Sequence, residues 1–456
     1  MQTSSAKPAA TTTLDINALD ALFTNAKAHV GVIGLGYVGV PLVSTLTNSG
    51  FTVAGFDVDQ ARVTQLNSGV SPIKHIPSAQ IREILDTKLF EATAEFERLA
   101  EMDAILICVP TPLTKQREPD LTYVVDTTKT IAKFLRPGQL IVLESTTYPG
   151  TTSDVMTPIL ELETGLRSGV DFFMAYSPER EDPGNPSFSA ANVPKVVGGD
   201  GEAALRLASS LYGKIVPKVI PVSSTQTAEA VKLTENIFRA VNIALVNELK
   251  VIYGAMGIDV WEVINAAKTK PFGFMPFYPG PGLGGHCIPI DPFYLTWKAR
   301  EFEISTRFIE LAGEINTAMP RHVVGALVSA LSQRFSKSIN GSKILLMGMA
   351  YKKNVDDIRE SPAIRIVEIL EQMGADVDYH DPFIPVIPKL REHPHLKGRD
   401  GIFLSPAALK KYDAAFIVTD HDDVDYQMVI DNCPLVIDTR NICERLGLGG
   451  DKIVKA

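Results

Sequence analysis

One cysteine of this sequence has the neighbours of a nucleophile. Cys287 lies in the segment GGHCIPID (residues 284–291), after a glycine pair and four residues before Asp291. The segment is too rich in glycine and proline for a helix or a central strand, so we expect a loop. On such a loop, backbone N–H groups can approach the thiol and stabilise an oxyanion formed at its adduct. From this segment alone, the alternative is a small cysteine that packs in a turn.

A long predicted helix carries a second group of chemical interest. From Ser224, apolar residues recur at helical spacing for some thirty residues, with no proline and no glycine before Gly254. Lys232 and Asn236 are one turn apart and therefore share a face. The rest of that face reads as apolar. Lys232 is expected either to stabilise an oxyanion in a site or to extend its ammonium group from the edge of an apolar surface.

The turn GLGYVG, with glycines at 34, 36 and 39, follows a strand pattern and opens a helix. Asp57 ends the next predicted strand, eighteen residues beyond the last glycine. In this context the glycines let the backbone approach the pyrophosphate of a dinucleotide at the helix N-terminus. Asp57 would accept hydrogen bonds from the adenosine ribose and favour NAD over NADP, a preference that Arg62 slightly weakens. The alternative is a tight strand–helix turn without a ligand.

Strand and helix signals alternate on both sides of the long helix, which predicts parallel sheets covered by helices. The first half has the strand runs HVGVIGLG, FTVAGFDVD, MDAILICVPTP and GQLIVLESTTYPG. Their order returns beyond about Met319 in SKILLMGMAY, ADVDYHDPF, YDAAFIVTDHDD and PLVIDTR. The predicted fold is α/β, with two Rossmann-like doubly wound domains joined by a long central helix. We expect an extension (1–27), a cofactor domain (28–220), a central helical domain with the cysteine loop (221–318) and a C-terminal domain (319–456).

Composition excludes several classes of protein. A formal net charge of −9 argues against a general binder of nucleic acid or anionic membranes. The four cysteines (108, 287, 433 and 443) form no CxxC pair, so neither a disulfide framework nor a metal site is indicated. The start of the chain lacks the pattern of a signal peptide, and glycines interrupt the longest apolar run. We therefore expect a cytoplasmic protein without a membrane span.

Taken together, these segments resemble the NAD-dependent nucleotide-sugar 6-dehydrogenases, which include UDP-glucose, GDP-mannose and UDP-N-acetylhexosamine dehydrogenases. The resemblance runs from about Val30 to the C-terminus and rests on VIGLGYVGVPL, VPTP, ESTTYPGTT, YSPERED, AEAVKLTENIFRAVNIALVNEL, GPGLGGHCIPIDP and MAYKKNVDDIRESPA. It implies a four-electron oxidation of a primary alcohol to a carboxylate. Hydride transfer from C6 to a first NAD gives an aldehyde, to which the Cys287 thiolate adds. Hydride transfer to a second NAD then leaves a thioester, which water hydrolyses.

The resemblance also assigns residues. The catalytic residues that it implies are Cys287, Lys232, Asn236, Asp291, Glu179 and Thr146. Cys287 would be the nucleophile, Lys232 would stabilise the oxyanion, and Glu179 would serve thioester hydrolysis. The expected cofactor contacts are Gly34, Gly36, Tyr37, Val38, Gly39, Asp57, Arg62, Pro110, Thr111, Thr146 and Arg359. The expected substrate contacts are Glu179, Arg180, Lys232, Asn236, Gly284, Lys352 and Arg440. Glu179 and Arg180 follow the apolar run FFMAY, where a charge at a strand end can also be simply solvated.

Two positions favour an N-acetylated sugar. Glucose-type members of the family usually carry a lysine where this chain has Ile290 and a small residue where it has His286. The pattern resembles the branch that acts on UDP-N-acetylhexosamines, and Arg180 is a candidate contact of the acetamido group. We expect UDP-N-acetyl-D-glucosamine as the substrate, oxidised for bacterial surface polysaccharide. UDP-N-acetyl-D-mannosamine and UDP-N-acetylgalactosamine stay as alternatives, because residue spacing does not report the configuration of the sugar.

Two alternatives come from other functional classes. A dinucleotide- or sugar-nucleotide-binding protein without catalysis would not need Cys287, Lys232, Asn236 and Asp291 together. A two-electron dehydrogenase of a small hydroxy acid would share the NAD domain and the long helix, but would leave the cysteine motif without a role. The long helix also predicts a homodimer through helix packing.

Overall fold

The structure, a computed structural model, describes residues 14–73, 76–114, 116–180, 192–285, 287–390 and 393–456. The side chain of Cys287, His286 and the end of the SPERED segment lie outside this description. The chain divides into two compact units, one ending at Leu233 and one beginning at Thr234. We call them the first unit and the second unit, and we describe each by itself.

The described residues of the first unit form one eight-stranded sheet with the order β3-β2-β1-β4-β5-β6-β7-β8. Its strands are β1 (His29–Ile33), β2 (Thr52–Phe56), β3 (Phe90–Thr93), β4 (Ala104–Ile107), β5 (Leu140–Leu143), β6 (Phe173–Tyr176), β7 (Lys195–Gly199) and β8 (Val219–Val222). Neighbouring strands are parallel except β6 and β7, which are antiparallel. Every residue of β4, β5 and β6 is buried. Helices on both faces account for these continuous apolar runs.

The helices of the first unit are α1 (Ile16–Thr24), α2 (Gly39–Asn48), α3 (Gln60–Asn67), α4 (Ser78–Asp86), α5 (Thr122–Ala132), α6 (Thr157–Thr164) and α7 (Glu202–Ile215). Asp15 starts α1, because its carboxylate accepts hydrogen bonds from the N–H groups of Asn17 and Ala18. A single-turn π-helix, Thr151–Met156, precedes α6 and follows the glycine of the TTYPGTT segment.

The predicted long helix is α8 (Thr225–Met256), which spans 32 residues, and α9 (Val260–Ala267) follows it. The interpretation of its Lys232 face as otherwise apolar is wrong. Glu229, Asn247 and Lys250 are also buried on α8, and their spacing places them close to the same stripe. Glu229 and Asn247 are held by hydrogen bonds, whereas Lys250 Nζ has no hydrogen-bond partner among the described residues.

The second half of the cysteine segment is helical, contrary to the loop that its composition predicted. Helix α10 (Cys287–Ala299) begins at the cysteine and contains Pro292, and α11 (Arg307–Phe335) follows it. The reason is positional. Pro289 is the third residue of α10, where a missing N–H costs nothing because the first four N–H groups of a helix lack helical partners. The glycines that disfavour a helix end at Gly285, before α10 starts.

The second unit contains a five-stranded parallel sheet with the order β10-β9-β11-β12-β13. Its strands are β9 (Lys343–Met347), β10 (Asp376–His380), β11 (Ala414–Ile417), β12 (Val436–Asp438) and β13 (Ile453–Lys455). Its remaining helices are α12 (Pro362–Gln372), α13 (Pro406–Leu409), α14 (Tyr426–Asn432) and α15 (Ile442–Arg445). The order β10-β9-β11-β12 repeats β2-β1-β4-β5 of the first unit, which confirms the predicted α/β class with two Rossmann-like sheets. No helix in the described ranges is long and apolar enough to cross a membrane.

Candidate active site

The glycine turn between β1 and α2 is shaped by close backbone contacts. Gly34 has φ +95°, and a Cβ there would lie 2.6 Å from the carbonyl oxygen of Cys108. A Cβ on Gly39 would lie 1.9 Å from the carbonyl oxygen of Gly34. Gly36 by contrast faces open space, so the backbone is accessible there at the start of a helix. This arrangement fits the pyrophosphate of a dinucleotide.

Asp57 lies just beyond β2 and is tied to the same turn. Its Oδ2 accepts hydrogen bonds from the Leu35 N–H at 3.0 Å and from Arg62 Nη1 at 3.1 Å, and Oδ1 accepts one from the Asp59 N–H. A carboxylate offers about four acceptor positions. Asp57 therefore retains capacity for a ribose hydroxyl, and Arg62 is its direct partner.

The other predicted residues of the first unit follow the carboxyl ends of neighbouring strands. Pro110 and Thr111 come after β4, Thr146 after β5, and Glu179 and Arg180 after β6. Because these strands are parallel and adjacent, their carboxyl ends share one edge of the sheet, where ligands of doubly wound sheets bind. The predicted residues at this edge are Gly34, Gly36, Tyr37, Val38, Gly39, Asp57, Arg62, Pro110, Thr111, Thr146, Glu179 and Arg180.

Lys232 is held against the segment that follows β6. Its side chain is only 9% exposed, and its Nζ donates to the backbone oxygen of Glu179 at 2.6 Å. The Glu179 carboxylate accepts from the Arg180 N–H at 2.6 Å through Oε1, and its Oε2 lies 3.4 Å from Lys195 Nζ. Arg180 Nη1 donates to the Pro194 carbonyl. The predicted lysine and glutamate thus meet in the first unit, and the Lys232 ammonium group is held by the backbone rather than extended from the edge of an apolar surface.

Lys195 is a member of this cluster that the sequence analysis missed. Its Nζ lies 2.5 Å from Glu144 Oε2, and the Tyr212 hydroxyl donates to Glu144 Oε1 at 2.6 Å. Burial by itself lowers the pKa of Lys195, but the carboxylates of Glu144 and Glu179 outweigh burial and raise it above the ordinary value. Lys195 is therefore a charged bridge between two carboxylates, one of which is the predicted catalytic Glu179.

Glu229 is a second residue that was missed, and it fixes the segment after Thr146. Its carboxylate accepts hydrogen bonds from the N–H of Gly150 at 2.6 Å, the N–H of Thr152 at 2.9 Å and the Thr152 hydroxyl at 2.7 Å. Burial raises its pKa to about 7, against the opposing effect of these hydrogen bonds. The signal was its position, three residues before Lys232 on the same helix face.

The second unit holds a buried polar pair beside the start of α10. Asn236 Nδ2 donates to Asp291 Oδ2 at 2.6 Å, and Asp291 is completely buried. Asp291 lies one helical turn after Cys287. The start of a helix presents N–H groups without helical partners, which favours negative charge nearby. The predicted Asn236 and Asp291 are thus in direct contact.

The glycine loop before α10 packs closely on the segment after β9. A Cβ on Gly284 would lie 2.6 Å from the Cβ of Tyr351, and the Gly285 N–H donates to the Arg359 carbonyl at 3.0 Å. The guanidinium of Arg359 pairs with Asp357 at 2.6 Å. Lys352 is half-buried next to Tyr351. Gly284, Lys352 and Arg359 are thus brought to one neighbourhood of the second unit.

Arg440, the last predicted substrate contact, follows β12. Its Nε donates to the Val418 carbonyl at 2.9 Å, and its guanidinium lies against Gly280, where a Cβ would be only 2.6 Å from Nη1. Burial lowers the pKa of Arg440 from its ordinary value. A partly buried arginine next to a bare glycine backbone suits an anionic or planar ligand.

Three family models match the chain in succession. They are the NAD binding domain of the UDP-glucose/GDP-mannose dehydrogenase family at residues 28–216, its central domain at 226–318 and its UDP binding domain at 345–445. The matches cover more than half of the chain. They also agree with NAD as the cofactor of the glycine turn.

Two relatives bear the names of dehydrogenases of N-acetylated sugars. A UDP-N-acetyl-D-glucosamine 6-dehydrogenase of Pseudomonas aeruginosa is 37% identical over 83% of this chain and 90% of its own length. A UDP-N-acetyl-D-mannosamine dehydrogenase of Pyrococcus horikoshii is 35% identical over 92% of this chain and 97% of its own.

Solved structures agree with these sequence matches. The structure of a UDP-D-ManNAc dehydrogenase from P. horikoshii superposes with a TM-score of 0.82 at 34% identity, covering 91% of this chain and 96% of that one. A UDP-glucose dehydrogenase from Pyrobaculum islandicum gives a TM-score of 0.80 at 25% identity, covering 94% and 97%. The chain therefore belongs to the UDP-glucose/GDP-mannose dehydrogenase family and is an NAD-dependent oxidoreductase of nucleotide sugars.

Proposed function

We propose that the chain oxidises C6 of UDP-N-acetyl-D-glucosamine to a carboxylate, in two NAD-dependent steps, for the synthesis of a surface polysaccharide. The observation that carries the chemistry is the buried Asn236–Asp291 hydrogen bond one turn after Cys287. A fully buried carboxylate next to a candidate nucleophile supports a role in managing water and protons rather than surface charge. The first relative named above, at 37% identity, supports the choice of sugar.

Each residue has a role suited to its chemistry. Cys287 provides the thiolate that bonds to C6 of the aldehyde, and the oxygen of that adduct becomes negative. Lys232 stabilises this oxyanion, because its ammonium group has three N–H donors and the Glu179 carbonyl occupies one of them. Bound NAD supplies the hydride acceptor for both oxidations.

Thioester hydrolysis falls to acids that the structure holds in place. Glu179 is fixed through its carboxylate by the Arg180 N–H and Lys195, so it is positioned to orient or deprotonate a water. Asp291 is fixed by Asn236. In the proposed cofactor site, Asp57 and Arg62 bind the adenosine end, Thr146 and the VPTP residues line the strand edge, and Arg359 contacts the cofactor. Lys352, Gly284 and Arg440 contact the nucleotide-sugar substrate.

UDP-N-acetyl-D-mannosamine is the second candidate substrate. The P. horikoshii relative that bears this name aligns with more of the chain than the glucosamine enzyme does, and the solved UDP-D-ManNAc dehydrogenase has a TM-score of 0.82. These two sugars differ at one carbon. No residue described above distinguishes them by contact.

Initial rates with the UDP derivatives of N-acetylglucosamine, N-acetylmannosamine, N-acetylgalactosamine and glucose, each with NAD and NADP, test the proposal. We expect the highest kcat/KM with UDP-N-acetyl-D-glucosamine and NAD, and two NADH formed per sugar oxidised. A higher kcat/KM with UDP-N-acetyl-D-mannosamine would make that sugar nucleotide the substrate instead. One NADH per sugar would contradict the four-electron reaction, and no turnover of any sugar would favour a binding protein. The same series on Arg180→Ala tests the acetamido contact, since a loss equal for all four sugars would exclude it.

Two parts of the proposal rest on sequence alone. They are a homodimer formed through α8 and a cytoplasmic location. Gel filtration with light scattering tests the first, and a monomer at micromolar concentration would contradict it. Cell fractionation tests the second, and recovery of the protein outside the cytoplasmic fraction would contradict it. The three-domain division with boundaries near 220 and 318 also remains a proposal.

A further inference from the structure

Lys250, in the last turns of α8, is buried, and its ammonium group has no hydrogen-bond partner in the described part of the chain. The residue is 8% exposed. Burying an ammonium group without a partner is unfavourable, which is why such groups are rare in proteins unless they serve a ligand. Lys250 therefore needs an explanation beyond packing.

A set of hydrogen bonds lies one helical turn from this lysine within the second unit. Asn247, one turn before Lys250, accepts a hydrogen bond from the Gly280 N–H at 3.0 Å. Asn247 also donates to Asn316 of α11 at 2.9 Å, and Asn316 donates to the Ala240 carbonyl at 3.2 Å. These hydrogen bonds fix the glycine loop at Gly280 on the helix face that carries Lys250.

The opposite side of Gly280 is covered by Arg440. The guanidinium lies so close that a Cβ on Gly280 would be 2.6 Å from Nη1. Gly280 thus has the arginine on one side and Asn247, one turn from Lys250, on the other. A partly buried arginine therefore contacts this loop, and a buried lysine lies one helical turn from the asparagine that holds it.

The charges around the two cations do not neutralise Lys250. Burial and, to a lesser extent, the charge of Arg440 lower its pKa to about 7, against the opposing effect of Asp438. The carboxylate of Asp438 accepts hydrogen bonds from the backbone N–H groups of Arg440 and Cys443. From α11, His322 faces the same region, and burial together with Lys250 lowers its pKa.

Two further charges act on Arg440 rather than on Lys250. Asp420 raises the pKa of Arg440, while burial and Arg445 lower it. The region near Lys250 thus holds this buried lysine, the partly buried Arg440 and the carboxylate of Asp438, which is occupied by backbone donors. Its electrostatics favour an added anion.

We propose that Lys250 and Arg440 together bind the diphosphate of the nucleotide sugar, and that Lys250 takes up a proton when this anion binds. The inference rests on the proposed function and adds Lys250 as a further substrate-binding residue. An anion beside Lys250 supplies the counter-charge that the protein leaves out, and it favours the ammonium form. Two cations suit the double charge of a diphosphate better than the single charge of a carboxylate.

Isothermal titration at pH 8 tests this inference, with UDP, inorganic diphosphate and uridine as separate ligands. Each titration is run in two buffers with different heats of ionisation, so that proton uptake is measured directly. The wild-type protein should take up most of a proton per site with UDP and with diphosphate, and none with uridine. Lys250→Met should bind UDP about 10- to 100-fold more weakly, without proton uptake, because it loses a hydrogen bond to a charged group.

The controls separate binding from structure. Uridine should bind the wild type and Lys250→Met equally, whereas a similar loss for uridine would show a structural effect and overturn the inference. Lys411→Met removes an exposed lysine of the same unit and should change neither affinity nor proton uptake. A methionine side chain suits a buried position, so we expect the Lys250→Met variant to fold.

Two outcomes distinguish the inference from the proposed function. If Lys250→Met binds UDP and diphosphate as tightly as the wild type and with the same proton uptake, Lys250 is not in the anion site. If the wild type binds diphosphate with proton uptake that Lys250→Met lacks, but binds neither UDP nor a UDP-sugar, the anion site is supported and the nucleotide-sugar function is contradicted.

Discussion

Two lysines of this protein are almost equally buried, and their surroundings are opposite. Lys195 in the first unit is 6% exposed and Lys250 in the second unit is 8% exposed. Lys195 contacts the carboxylates of Glu144 and Glu179 and lies over the Tyr212 ring, 5.1 Å from its centre. Lys250 has no hydrogen-bonding partner in the described part of the chain. The pKa of the first is raised and that of the second is lowered to about 7.

The difference shows that burial does not by itself decide the charge of a lysine. Burial lowers the pKa of both groups, and nearby negative charge can reverse the effect. For Lys195 the protein supplies those carboxylates, so the lysine becomes part of the fixed scaffold around Glu179. For Lys250 the protein leaves the counter-charge to a ligand. A partnered buried lysine therefore positions other groups, and an unpartnered one indicates a binding site.

The largest effect is expected from Lys195→Met. Removing this lysine leaves the buried Glu144 carboxylate and the partly buried Glu179 carboxylate near each other without a cation. This should lower the free energy of unfolding by about 3–5 kcal/mol. Urea denaturation at pH 7 measures the loss. The double variant Lys195→Met/Glu144→Gln should recover part of it, because one of the stranded charges is removed. A loss under about 1 kcal/mol would mean that Lys195 does not bridge the carboxylates of Glu144 and Glu179.

The substitution Lys250→Met should stabilise the protein, which is the opposite of the effect expected for Lys195→Met. Below pH 7 the folded wild type carries a buried ammonium without a partner, so the substitution should raise the free energy of unfolding by about 2–4 kcal/mol. The folded-state pKa is about 7, while that of the unfolded lysine lies near 10.5. As pH rises through this window the folded protein releases the proton and its cost disappears, so the gain should shrink.

Urea denaturation of Lys250→Met and the wild type at pH 6.5 and pH 9 measures this gain. Lys411→Met, an exposed lysine, should change stability by no more than about 0.5 kcal/mol at either pH. A loss of stability in Lys250→Met, or a gain independent of pH, would show that Lys250 has a counter-charge after all and would remove the contrast with Lys195.

A smaller effect is expected from Tyr212→Phe, which tests the outer part of the Lys195 cluster. The variant keeps the aromatic ring but leaves Glu144 Oε1 without the hydroxyl donor. An unsatisfied buried acceptor costs about 1–3 kcal/mol, measured by urea denaturation. A stability equal to that of the wild type would indicate that Glu144 depends on Lys195 alone.

Much of the fold could be predicted from periodicity. The strands β1, β2, β4 and β5 and their counterparts β9 to β12 are apolar runs between turn residues, and α8 has a long apolar period without a proline. Strands β3, β7, β8 and β13 were not predicted. β8 is half-exposed and contains a proline, and β13 has three residues, so neither gives a distinct pattern. The prediction of a loop at the start of α10 was wrong, because composition does not show that Pro289 falls in the first turn of a helix.

The site was predictable where a local motif defines it, and the family match agrees with the glycine turn and NAD. The Asn236–Asp291 contact joins residues 55 apart in sequence, yet both were named from the resemblance. Glu144 and Lys195 were missed, because their pairing spans 51 residues and each alone resembles an ordinary charge near a strand. Lys250 was missed because a lysine near a helix end is usually solvated. Its spacing from Asn236 and Asn247 was the signal that it shares their buried stripe.

Cys287→Ala provides the most direct test of the central claim, which is a four-electron oxidation through a thiol adduct. Product mass spectrometry with UDP-N-acetyl-D-glucosamine and NAD should detect the uronic acid from the wild type. The variant should form none, because no thiolate is available to hold the aldehyde for the second oxidation, while its far-UV circular dichroism should match the wild type. Formation of the uronic acid with two NADH per sugar by Cys287→Ala would contradict the account.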